Sequence, residues 1–325
     1  MTRKLAQDAA IYVAGHRGMV GQAIWRALQR NGYCNLIGRT RDELDLTDQH
    51  AVVEFIEQQR PDAVIIAAAR VGGIGANVRY PARFFYDNAS IALNLIHAAW
   101  QVGVERLIFL GSSCIYPREC PQPIKEEYLL SGPLEFTNRP YAVAKIAGIE
   151  MCWAYNRQYG TRFVALQPTN LYGPGDRYDL EASHVIPALL LRFDMAKRDN
   201  LSAVEVWGSG RPLREFLYVD DLAQACVRVL ELDDNELSEI VCSEKMPPLI
   251  NVGSGEEVSI ARLAEMVAAT VGYEGEIAFN PVRPDGTPRK LLDSSRMQAL
   301  GWSAVTSLKD GLVFAYQDML ARRNQ

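Results

Sequence analysis

No apolar run in this chain approaches the roughly 20 residues needed to cross a bilayer; the longest, such as 63–69, are far too short. The stretch from Met1 to Ala10 also lacks the apolar core of a secretory signal, so a cytoplasmic location with no membrane partner is expected. The six cysteines, Cys34, Cys114, Cys120, Cys152, Cys226 and Cys242, contain no C-x-x-C pair, and a chain of 325 residues has no need of disulfide staples. A reducing compartment follows. Basic residues are no more plentiful than acidic ones: 34 Lys and Arg against 39 Asp and Glu leave a formal charge of -5. That balance argues against nucleic-acid binding and against a polybasic membrane patch, and it leaves any anionic ligand to locally placed arginines. Repeats and low-complexity segments are absent, and no metal site is expected.

What is present is a large apolar fraction, 48%, enough for a substantial core. A chain of this length exceeds the comfortable size of one core, so two lobes are expected. In the first half, short apolar runs at 11–14, 35–38, 63–67, 106–110 and 162–167 alternate with longer amphipathic stretches at 18–30, 49–59, 82–102 and 141–159. This rhythm predicts βαβ units and a parallel sheet, hence an α/β, Rossmann-type doubly wound fold. Beyond Tyr172-Gly173-Pro174-Gly175 the pattern changes to a helix near 185–197, a strand near 203–207 and a polar turn at 208–212. A helix at 220–231 and a strand at 249–252 are expected to return to the first sheet, with 233–248 a surface loop and 308–323 a closing amphipathic helix. The smaller C-terminal substrate lobe is then interleaved with the first: residues 1–173 plus about 213–255 form one unit, and about 174–212 plus 256–325 the other.

Directly after the first strand stands Gly15-His16-Arg17-Gly18-Met19-Val20-Gly21. Glycines at this spacing permit a tight turn, let backbone N–H groups approach a pyrophosphate and pack helix on strand, which points to a dinucleotide. The second strand ends in Gly38-Arg39-Thr40-Arg41, where an acidic residue would meet a ribose 2′-hydroxyl. Arginines there match a 2′-phosphate instead, so Arg41, with Arg17 and Arg39, predicts NADP(H). The fourth strand delivers Leu110-Gly111-Ser112-Ser113-Cys114 to its C-terminal end, and Tyr141 and Lys145 stand four apart at the start of a helix. That spacing sets phenol and ammonium on one helical face, where the cation is expected to lower the Tyr pKa and Ser112 to hydrogen-bond a substrate oxygen.

Together these features resemble the extended short-chain dehydrogenase/reductase family over nearly the whole chain. The resemblance implies that Lys145 holds the nicotinamide ribose and that a hydride passes between nicotinamide and a carbonyl carbon while Tyr141 handles the oxygen's proton. A closer similarity is carried by Arg70-Val71-Gly72-Gly73-Ile74, Ser112 to Pro117, Pro168-Thr169-Asn170-Leu171-Tyr172-Gly173-Pro174, Ser183-His184-Val185-Ile186-Pro187 and Pro284-Asp285-Gly286-Thr287-Pro288-Arg289-Lys290. These look like the branch that converts GDP-4-keto-6-deoxy-D-mannose to GDP-L-fucose by 3,5-epimerisation and NADPH-dependent 4-reduction. In it, Cys114 and His184 are implied as the epimerisation pair. A 4-keto group acidifies C3 and C5, and inversion needs a base on one face and an acid on the other, roles that thiol and imidazole suit.

The resemblance further implies cofactor contacts from Asp45, Leu46, Leu110, Gly111, Ser113, Pro168, Asn170, Leu171 and His184. It implies GDP-sugar contacts from Arg192, Trp207, Arg214 and Asp285, and a homodimer formed as a four-helix bundle by 82–102 and 141–159. Three other readings stay open on the residues: a cofactor-retaining nucleotide-sugar epimerase or dehydratase of the same fold, an NADP-binding redox sensor, and a dimerising scaffold.

Overall fold

The structure is a computed structural model and describes residues 4–180, 183–282, 285 and 287–323. Residues 1–3, and Pro284 and Gly286 of the last motif above, lie outside them. In chain order the first part runs β1 (Ile11–Ala14), α1 (Met19–Arg30), β2 (Leu36–Ile37), α2 (Gln49–Gln59), β3 (Ala63–Ile66), α3 (Ile74–Arg79), α4 (Pro81–Gln101), β4 (Arg106–Leu110), α5 (Arg139–Tyr159), β5 (Phe163–Pro168) and β6 (Asn170–Tyr172). Then follow α6 (Val185–Arg198), β7 (Ala203–Trp207), β8 (Leu213–Tyr218), α7 (Val219–Leu230), α8 (Asp234–Val241), β9 (Leu249–Val252), β10 (Glu257–Ser259), α9 (Ile260–Val271), β11 (Glu276–Asn280), β12 (Arg289–Lys290), α10 (Ser295–Ala299) and α11 (Leu308–Arg323).

Six strands make one parallel sheet in the order β2-β1-β3-β4-β5-β9. Its strands are buried on both faces, and successive side chains still go to opposite layers. Ile11 and Val13 join Ile24 and Leu28 of α1 and Leu222 and Val229 of α7, whereas Tyr12 and Ala14 join Ile56 of α2, Leu95 of α4 and Ile149 of α5. Helices thus cover both faces, which is the doubly wound fold expected. The strand order reverses between β1 and β3, the topological switch point at which open α/β sheets bind ligands.

The other strands form two small sheets. β8 pairs with β6, β10 and β12, and β7 pairs with β11. A third core, including Leu190 and Phe193 of α6, Leu263 and Val267 of α9 and Leu312 of α11, packs beneath them. The stretch 233–248 is not the expected loop: Asp233 accepts from the backbone N–H of Asn235 and Glu236, and the Glu236 carboxylate accepts from Asp233 N, a reciprocal capping box that starts α8. Leu237, Ile240 and Val241 then bury one face of this helix of about two turns. Among the described residues no helix is long and apolar enough to span a membrane.

Candidate active site

The glycine loop joins β1 to α1 at the switch point. Gly15 has φ +83°, and a Cβ there would lie 2.7 Å from Ala68 N; at Gly21 it would lie 2.0 Å from Gly15 O. Both glycines therefore serve close backbone approach. Gly18, the N-cap of α1, carries no capping side chain, and the first turn of the helix holds no acidic residue. Its free N–H groups and the positive end of the helix dipole present an anion site, which fits a dinucleotide pyrophosphate. His16 packs against Trp25 and Gly38, its Nδ1 buried without a partner, and desolvation lowers its pKa. Met19 and Val20 are half-buried against the core below.

Around this loop Arg17 is exposed, Arg39 lies over the Phe55 ring at 5.3 Å, and Arg41 sits 3.7 Å from Asp45 with two thirds of its side chain in solvent. Asp45 also accepts from Thr47 N and Oγ1, which with Arg41 holds its carboxyl below the usual range. Arg17 and Arg39 both lie close enough to His16 to help lower its pKa. Leu46 is pinned through its carbonyl by Asn94 at 3.0 Å.

On the far side of the switch point, the C-terminal end of β4 carries Leu110, Gly111 and Ser112 into a short 3-10 turn, Ser113–Ile115, in which Ser113 and Cys114 are buried. The start of α5 brings Tyr141 and Lys145 to the same place. Ser112 is within hydrogen-bonding reach of both Cys114 and Tyr141. Lys145 is 4% exposed; its Nζ donates to Leu110 O at 2.7 Å and lies 4.8 Å from the Phe109 ring centroid and 5.9 Å from that of Tyr141. Burial lowers the Lys145 pKa to about 8. The expected lowering of the Tyr141 pKa is not what this arrangement produces. Burial, reinforced by the adjacent Cys114, pushes the phenol up against the opposing pull of Ser112, while the ammonium donates to Leu110 O and lies over the Phe109 face. Tyr141 is therefore held protonated, as a donor to a carbonyl oxygen must be.

Burial also raises the Cys114 pKa, opposed by the nearby cation Lys290 and by Ser112 and Lys145. Lys290 was not among the expected catalytic or binding residues. It reaches the site from β12, in register with Arg214 on β8, and its own pKa is depressed by desolvation. His184 is the N-cap residue of α6 and opens to solvent on one side, yet the surrounding protein desolvates its ring enough to lower its pKa. Among the described residues no hydrogen bond joins His184 to Ser112, Cys114 or Tyr141.

Pro168 and Leu171 line the chain as it leaves the main sheet, and Asn170 turns its amide to Glu215 O at 2.8 Å, tying β6 to β8. Arg192 donates to Glu205 O at 2.7 Å with its guanidinium 5.7 Å from the Trp207 ring, and half of Trp207 is exposed. Arg192 and Trp207 thus flank one cleft, with Leu180, Met195 and Ala203 among its walls. Arg214 donates to Leu213 O, and desolvation lowers its pKa against the pull of Asp285. The Asp285 carboxylate is occupied: it accepts from Ser209 N at 2.8 Å and from Ser209 Oγ at 2.7 Å, across a turn where Gly208 leaves it room. No group of His, Cys, Asp and Glu among the described residues is arranged to hold a metal ion.

The sequence model of the NAD dependent epimerase/dehydratase family matches residues 11–243. The chain belongs to that family. It is 52% identical over 317 residues to the GDP-L-fucose synthase of Escherichia coli (strain K12), covering 97% of this chain and 98% of that protein. Among solved structures, a GDP-6-OMe-4-keto-L-xylo-heptose reductase from C. jejuni is 37% identical with a TM-score of 0.92, covering 98% of this chain and all of that one. A GDP-L-fucose synthetase from Naegleria fowleri bound to NADP is 26% identical with a TM-score of 0.86, covering all of this chain and 98% of that one.

Proposed function

We propose that the chain converts GDP-4-keto-6-deoxy-D-mannose to GDP-L-fucose, epimerising C3 and C5 and then reducing C4 with NADPH. The observation that carries the reading is the junction of Ser112, Cys114, Tyr141 and Lys145 at one strand end beside the glycine loop. Near-full-length identity to a GDP-L-fucose synthase supports the substrate, and similarity to an NADP-bound structure supports the cofactor.

In this reading Arg17, Arg39 and Arg41 hold the 2′-phosphate and the uncapped start of α1 holds the pyrophosphate. When bound, NADPH supplies the hydride that reduces C4. Cys114 Sγ, as the thiolate that Lys290 supports against the burial that disfavours it, takes a proton from the carbon next to the ketone, and His184 in its imidazolium form returns one to the opposite face. Tyr141 then donates its phenolic proton to the C4 oxygen, which Ser112 orients. Lys145 holds the nicotinamide ribose, and Arg192, Trp207, Arg214 and Asp285 hold the GDP moiety.

Two further parts belong to the proposal. The cofactor unit comprises 1–173 with about 213–255, and the substrate unit about 174–212 with 256–325. The chain forms a homodimer through α4 and α5, which expose the large apolar side chains Phe85, Tyr86, Leu93, Val143 and Tyr159. The deciding assay is NADPH oxidation with GDP-4-keto-6-deoxymannose and identification of the product by NMR. GDP-L-fucose is the expected product; a C4-reduced sugar with C3 and C5 unchanged would leave only a reductase.

A further inference from the structure

Gln167 is fully buried at the end of β5, beside Gly111 and Ser112 at the end of β4. Its Nε2 donates to Ser112 O at 2.7 Å. That carbonyl already accepts from Ile115 N at 3.1 Å, the bond that closes the 3-10 turn. Ser112 O would remain satisfied without Gln167. At the other end of the carboxamide, Oε1 is buried and accepts from no described residue. It presses on Gly111, where a Cβ would sit 1.9 Å away. For folding alone, a half-satisfied buried carboxamide is a worse occupant than an apolar side chain of equal length.

The neighbouring strand repeats the device. Asn251, fully buried and in register with Gln167, accepts from Tyr116 Oη at 2.5 Å and donates to Ile124 O at 2.9 Å. Two carboxamides on adjacent strands therefore hold the segment from Ser112 to Tyr116 at its two ends. Ser112 and Cys114 ride between these anchors, on a segment entered through a glycine that restricts rotation little.

We infer that Gln167 is a positioning residue, which locks the Ser112–Cys114 turn so that both side chains meet the substrate in one fixed relation to Tyr141. The inference rests on the proposed reaction. It assigns to Gln167 no contact with substrate or cofactor; the carboxamide acts through Ser112 O. A turn freed at that carbonyl still closes through Ile115, but its reacting groups drift, and displacement of about 1 Å costs up to about 100-fold in rate.

The test uses the full-length protein and two variants. Gln167→Met keeps the side-chain length and removes the amide. Its thermal midpoint is expected to equal or exceed that of the wild type, with NADPH affinity and the KM for GDP-4-keto-6-deoxymannose unchanged. Both kcat for NADPH oxidation and the rate of deuterium exchange at C3 and C5 are expected to fall about 10- to 100-fold. Gln167→Glu keeps the shape, but its carboxyl donates to Ser112 O only when protonated. Its kcat, low at high pH, should recover as pH falls, giving a limb the wild-type profile lacks. A folded Gln167→Met protein with kcat within twofold of wild type overturns the inference, as does a Gln167→Glu pH profile that matches the wild type. If Gln167→Met does not fold, the Gln167→Glu profile decides alone. A wild-type protein that fails to oxidise NADPH with this sugar refutes the proposed function itself, whereas an active wild type with equally active variants refutes only the role of Gln167.

Discussion

Replacing Lys145 by Met should make the protein more stable and inactive at once. The ammonium is 4% exposed, and burial moves its pKa from 10.5 to about 8. In a depressed base the charged form is disfavoured by folding, so the penalty is complete below pH 8 and is relieved as pH rises from about 8 toward 10.5. A shift of this size corresponds to about 3 kcal/mol at pH 7 and about 1 kcal/mol at pH 10. Met fills a similar volume without charge. It forfeits the bond to Leu110 O, about 1 kcal/mol, so the net gain expected at pH 7 is about 2 kcal/mol. Urea unfolding of both proteins without cofactor, at pH 7 and pH 10, measures the difference. The Met variant should lead at pH 7 and lose its lead at pH 10. A variant less stable than wild type at pH 7, or an advantage independent of pH, would show that the ammonium is well solvated by its surroundings and that the energetics above are wrong.

Cys114→Ser should abolish deuterium exchange at C3 and C5 while NADPH binding, followed by fluorescence titration, stays within twofold; persistent exchange removes Cys114 from the chemistry. Arg41→Ala should lower kcat/KM with NADPH about 10- to 100-fold, the worth of a charge-assisted phosphate contact, and leave NADH turnover unchanged. Equal losses with both cofactors would place Arg41 outside the 2′-phosphate site. Leu93→Glu, on the exposed face of α4, should convert the dimer to a monomer in light scattering, and an unchanged mass would mean that another surface makes the contact. Glu215→Gln should lower the thermal midpoint, because the buried carboxylate accepts from both Gly255 N and Leu292 N and an amide can serve only one of them, leaving a donor unmet at about 1–3 kcal/mol.

The parallel sheet was legible because each of its longer strands is a short apolar run bounded by an amphipathic helix, and burial on both faces writes that pattern strongly. The glycine loop was legible for a steric reason, since Gly15 and Gly21 leave no room for a Cβ. The small sheets were not. β10 and β12 are three and two residues long, below the length at which alternation can be read, and their existence depends on β8 standing between them. In 233–248 the prolines and charges suggested a loop, although Asp233 and Glu236 already spelled the capping box that starts α8. At the site, Tyr141, Lys145, Ser112 and Cys114 could be named from spacing and strand ends. Lys290 could not, because its closeness to Cys114 is made by the pairing of β12 with β8. Gln167 looked like the last apolar-strand residue, and only its contact across to Ser112 distinguishes it.

Buried polar groups in this molecule serve two ends, tying elements of the fold together and lining the strand end beside the glycine loop. Arg106 gives Nη1 to both Leu230 O and Leu232 O, Glu215 accepts two backbone N–H groups, and Asn251 uses its side-chain oxygen and nitrogen together. Each of these joins elements that would otherwise leave backbone groups unpaired, and folding gains by keeping it. Burial displaces Lys145, Tyr141 and Cys114 toward their neutral forms, and Gln167 keeps one end of its carboxamide without a partner among the described residues. All four lie around one strand end, at the mouth of the parallel sheet and beside the glycine loop. Burial displaces titratable groups elsewhere in the fold as well, among them Arg106, Glu215, Tyr12 and Cys226, so it is the gathering of four buried polar groups at one strand end beside the glycine loop that marks a site. Under the proposed function Tyr141 and Lys145 serve the reduction, and Cys114 beside them, on the turn that Gln167 holds, serves the epimerisation of the same sugar.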